Sequence, residues 1–119
     1  MKKKVLLIYC VIIVCITALG QNGKFKNMTP LKRAKTYTEL MRTYLKLSKD
    51  QTFKIEAINL KSANEMEKLK SDDISKMNKW NKAMKIQKQR ETLFKSVLSK
   101  EQLDTYFKKK KEMIQQLKN

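Results

Sequence analysis

Apolar residues recur along this chain at steps of three and four, and nowhere do they alternate one by one. Ala34, Tyr37, Met41 and Tyr44 keep the spacing of one helix face. Thr29-Pro30 ahead of them pairs a hydroxyl N-cap with proline at the first helical position, where its missing N–H is harmless. Together they predict a helix over about 30–46. From about 49 to 70 two rows follow, Phe53/Ala57/Leu60 and Ile55/Ile58/Met66/Leu69, which together read as one broad apolar face. Ser71-Asp72-Asp73 reads as a turn and a fresh N-cap. A third helix to about 97 then carries Ile74, Met77, Trp80, Met84, Ile86, Leu93, Phe94 and Val97. The fourth, from Ser99, has the cleanest stripe: Leu103, Tyr106/Phe107, Lys110, Ile114 and Leu117. The predicted fold class is all-α, with four amphipathic helices. Helices 2 and 3, each roughly 33–36 Å long at 1.5 Å per residue, should form a long antiparallel hairpin across a tight turn.

A repeat marks two of the helix starts. Leu47-Ser48-Lys49-Asp50-Gln51 returns as Leu98-Ser99-Lys100-Glu101-Gln102. Each copy contains an S-x-x-Q capping box: the serine hydroxyl accepts from the amide three residues on, and the glutamine reaches back to the serine amide. Asp50 and Glu101 sit in the first turn, where the helix dipole favours negative charge. The leading leucine is half of a hydrophobic staple. Leu98 has Leu103 to pack on, whereas Leu47 finds only Thr52, so the second staple should be the better one. Antiparallel pairing of helices 2 and 3 would bring both copies to one corner of the molecule.

The first residues read differently. Met1-Lys2-Lys3-Lys4, an apolar run from Val5 to Ile16, and Thr17-Ala18-Leu19-Gly20 have the build of a secretory signal peptide. Cleavage is expected after Gly20. An uncleaved membrane anchor is the alternative, against which the run falls short of the roughly 20 residues that a spanning helix needs. Residues 21–28 have no period and read as a mobile leader, and 29–119 as one helical domain. Both cysteines, Cys10 and Cys15, precede the cleavage point, so disulfides and cysteine metal sites are excluded from the exported chain. Its charge is 25 basic residues against 11 acidic, or +14. Helix packing or oligomerisation must hold it, and long helices with broad apolar stripes predict a homodimer.

The paired boxes, each led by leucine, resemble the LTxxQ signature of the Spy/CpxP family of periplasmic proteins, with serine for threonine at Ser48 and Ser99. In layout the resemblance covers nearly the whole exported chain; in motif, only those ten residues. It implies a curved four-helix protomer, a homodimer, a periplasmic location, and ATP-independent chaperone or envelope-stress roles. The metal-sensing branch of that family uses histidine and similar ligands. This chain has no histidine, so sensing of zinc, nickel or cobalt is not expected.

Nor is an enzyme. Neither histidine nor thiol is available as base or nucleophile, and no glycine-rich phosphate loop is present, so no cofactor or metal is expected. What stands out instead is helix 3: Lys76, Lys79, Lys82, Lys85 and Lys88 fall every third residue, with no acid between 74 and 90. Interleaved are Met77, Trp80 and Met84. One reading is a solvated helix whose lysine stems cover a thin core. The other is a basic, soft apolar surface for unfolded envelope proteins, with Lys76, Lys79, Trp80, Lys82, Met84 and Lys85 as candidate contacts. A dedicated partner such as a sensor protein, or an anionic membrane surface, is the competing class. Export argues against nucleic acid as a specific partner. Lys108–Lys111 is a second basic cluster, expected to be an exposed turn of helix 4.

Overall fold

The computed structural model describes residues 27–118, so the expected signal peptide and most of the expected leader lie outside the described residues. Four α-helices account for nearly all of them: α1 (Pro30–Leu45), α2 (Lys49–Ser71), α3 (Lys76–Lys95) and α4 (Lys100–Lys118). Thr29 caps α1 as expected, its hydroxyl accepting from Lys32 N at 3.2 Å. Contacts of the helical domain reach slightly further back than the pattern indicated. The Met28 carbonyl accepts from Arg33 Nη1 at 3.0 Å, and its sulfur lies 3.8 Å from Thr36 Oγ1. Met28 therefore belongs to the fold rather than to the leader.

The α2–α3 boundary also differs from expectation. Ser71 is the last residue of α2, and its hydroxyl bonds back to the Lys68 carbonyl at 3.1 Å. Ser71 is still helical and Asp72 is the extended C-cap, so no new helix starts there. The N-cap of α3 is Ser75, whose hydroxyl accepts from Asn78 N at 3.2 Å. This leaves α3 at 20 residues, or about 30 Å, and Ile74 in the connection.

The helices are neighbours in the order α3–α2–α1–α4, while α3 and α4 touch each other little. Arg33 Nη2 meets Glu67 Oε2 at 2.6 Å, tying the start of α1 to the end of α2. The guanidinium lowers the Glu67 carboxyl below the usual range. Lys79 Nζ donates to the Lys70 carbonyl at 3.3 Å, and Gln51 Nε2 to the Val97 carbonyl at 3.1 Å. The end of α2 thus meets the start of α3, and the start of α2 the end of α3. An arrangement measuring 39 × 36 × 27 Å is wider than a square bundle of four helices, about 20 Å across, would be.

The core is shared by all four helices: Tyr37, Met41 and Leu45 from α1, Ile55 from α2, Phe94 from α3, and Tyr106, Met113 and Ile114 from α4, with Leu47 and Leu98 from the connections. Every one of these residues lies between 37 and 114. α2 divides its two apolar rows. Ile55 and Leu69 are buried, but Phe53 is 76% exposed and Ala57 is exposed as well. The single broad face read from the sequence is two faces, because α1 and α3 cover only one side of the helix.

Candidate functional site

Two places gather polar chemistry. The first is the corner where the repeated motifs meet. Ser48 Oγ accepts from Gln51 N at 3.1 Å, and Gln51 Oε1 accepts from Ser48 N at 3.0 Å. Ser99 and Gln102 repeat both bonds at the same distances, 3.1 and 3.0 Å. Both boxes are therefore complete. The two glutamines also bond to each other, Gln51 Nε2 to Gln102 Oε1 at 2.7 Å and Gln102 Nε2 to Gln51 Oε1 at 3.1 Å. Each has one N–H left. Gln51 gives its own to the Val97 carbonyl, and Gln102 gives its own to the Leu45 carbonyl at 3.2 Å.

Below this clasp Leu47 and Leu98 are 9% and 8% exposed and both enter the core. The expected inequality of the two staples disappears, since the tertiary core supplies Leu47 with the neighbours that Thr52 does not. Serine and glutamine in these motifs are thereby committed to helix ends and to one another.

The second place was not read from the sequence. Glu91 Oε2 accepts from Lys110 Nζ at 2.6 Å, Tyr106 OH at 3.0 Å and Gln87 Nε2 at 3.1 Å. Arg90 Nη2 donates to Gln87 Oε1 at 2.7 Å, and its guanidinium lies over the Tyr37 ring at 5.0 Å. The Lys110 and Glu91 side chains are 10% and 16% exposed. Lys110 is thus buried, not part of an exposed basic turn. The signal was its place on the apolar stripe of helix 4: an ionisable group at a core position needs an opposite charge. Burial, followed by the neighbouring Tyr37, pushes the Tyr106 hydroxyl well above its ordinary range.

The predicted contact residues on α3 divide. Lys76, Lys82 and Lys85 are exposed, as is Lys88, while Lys79, Trp80 and Met84 are half-buried. Lys79 is folded onto the α2 C-terminus and Lys82 lies 3.8 Å from Asp72, so both are engaged locally. Met77 is 69% exposed beside Trp80 and Met84, three and seven residues on along one flank of the helix. Among the described residues no cluster of acidic or other ligating side chains could hold a metal ion, and no helix is long and apolar enough to cross a membrane.

These residues define an all-helical protein whose polar side chains cap helices and join them, and whose net positive charge is greatest on α3. Residues 18–118 match the family described as a domain of unknown function (DUF4890), and the chain belongs to that family. No curated protein and no solved structure matches it.

Proposed function

We propose that this protein is an exported, ATP-independent chaperone-like protein that holds unfolded or partly folded envelope proteins on α3. The observation that carries the reading is the surface around Met77. A methionine 69% exposed stands beside half-buried Trp80 and Met84, with Lys76, Lys85 and Lys88 exposed on the same helix. Flexible thioethers adapt to varied apolar shapes, and the lysines raise the rate of encounter with acidic segments. The resemblance of the two capping boxes to the LTxxQ signature points the same way, as does the signal-like start of the chain.

The test is aggregation of several unrelated unfolded substrates with residues 21–119 present and ATP absent. Protection is expected near a one-to-one ratio. Replacing Lys76, Lys85 and Lys88 with glutamate should slow capture of acidic substrates more than neutral ones. Met77→Ser should weaken holding with the circular dichroism unchanged, because its side chain takes no part in the core. Absence of protection for every substrate, from a protein shown to be helical, would sink the reading.

A further inference from the structure

The outward side of α2 carries an apolar stripe that the fold leaves open. Phe53, Ala57 and Leu60 follow at steps of four and three, one line along a helix that polar Asn64 continues four residues on. Phe53, the most exposed large hydrophobic residue described, is 76% accessible; Ala57 and Asn64 are exposed, and Leu60 is half-buried. The opposite line, Ile55, Asn59, Ser62 and Leu69, is buried. With α1 and α3 as neighbours on that side, no described residue covers the outward stripe.

The charge distribution indicates what could. α2 has five lysines against four carboxylates, a net +1. α3 has seven basic residues against Glu91, a net +6. α1 and α4 are each +3, from four basic residues against one acid and six against three. Two copies of a chain carrying +14 from residue 21 onward therefore repel least where α2 faces α2. That helix also has charges of both signs at its exposed positions, Asp50 near the start and Lys68 near the end. An antiparallel approach sets Asp50 of one copy toward Lys68 of the other.

We infer that a second copy of this chain docks on the α2 stripe, antiparallel, across a two-fold axis beside Ala57 and Leu60. Such a contact is isologous, so Phe53 of each copy meets the Leu60–Asn64 half of the other. The stripe is about 16 Å long, short beside a standard interface of roughly 1,600 Å². The dimer is accordingly reversible, with a dissociation constant on the order of 10–100 µM. Salt strengthens it, because screening removes repulsion between like-charged copies while the apolar contact persists. This inference does not rest on the holding of unfolded proteins.

Sedimentation equilibrium of residues 21–119 from about 10 to about 500 µM, in low salt and at about 0.5 M, tests it. The expected result is a concentration-dependent rise toward twice the monomer mass, larger at high salt. Phe53→Glu should abolish that rise without changing the circular dichroism, since the side chain lies outside the core. In this cysteine-free segment, Ala57→Cys, beside the two-fold axis, should oxidise to a disulfide-linked dimer and Lys88→Cys should not. A monomer under all conditions would overturn the inference, as would dimerisation that Phe53→Glu leaves intact or that crosslinks through position 88. Aggregation suppression by the Phe53→Glu monomer, measured alongside, reports on holding alone and keeps the two readings separable.

Discussion

A glutamine amide can make four hydrogen bonds, and Gln51 and Gln102 each make all four: one accepted from a capping serine, one donated to a carbonyl, and two to one another. Removing either leaves the other with unmatched groups in a partly buried corner. Gln51→Ala or Gln102→Ala should each lower stability by about 2 kcal/mol. The double variant should fall short of the sum by about 1 kcal/mol, the mark of directly coupled residues. Denaturant unfolding of the four proteins measures this, and strict additivity would mean the clasp is not formed. Ser48→Ala or Ser99→Ala should cost about 0.5–2 kcal/mol as a lost cap. Tyr106 gives a pH test. Its folded pKa is raised, so the unfolded chain releases the proton first. The contribution is complete below the ordinary tyrosine pKa of about 10 and is lost as pH rises through the folded value. Stability should therefore fall more steeply above pH 10 than it does in Tyr106→Phe.

At the scale of elements, the joint between α3 and α4 is where a short contact does most. These helices meet little beyond the turn they share, and Glu91 draws them together through Tyr106 and Lys110. Losing one partner of a buried pair strands the other charge. Glu91→Ala should cost about 3–5 kcal/mol. Replacing the pair with Glu91→Leu and Lys110→Met should restore much of that, because no buried charge then remains. Thermal melts of both variants decide the matter; equal loss in both would mean that the pair is not the determinant. α1 ends by a different device. Lys46 takes a left-handed conformation at φ 54°, ψ 53°, closing the helix with a backbone bond to Arg42. Glycine is the usual residue there.

Seen as one molecule, the protein separates its charge by helix, from +1 on α2 to +6 on α3. In the proposed division of labour, the α2 face takes its own copy and the α3 face acidic or unfolded chains. The two proposed associations should then respond oppositely to salt: self-association through α2 should tighten, and lysine-steered capture on α3 should slow. Measuring both on one preparation across a salt series tests the division of labour. A common salt response would mean that both run through the same face.

The sequence by itself determined what is local. Helix spacing, the hydroxyl at Thr29 and the two S-x-x-Q boxes each follow from residues within one or two turns, and the three helices that these caps open, α1, α2 and α4, start where those signals put them. The start of α3 was misplaced because Ser71 was read as its cap, whereas α2 runs on through Ser71 and the cap of α3 is Ser75. Tertiary structure decided what depends on distance in the chain. The amide pair joins residues 51 apart and the Glu91–Lys110 contact residues 19 apart; neither partner's local pattern names the other. The same holds for α2, whose Phe53 and Ile55 rows look equally apolar in sequence. Which of them is buried depended on where α1 and α3 came to lie, and they left Phe53 facing outward.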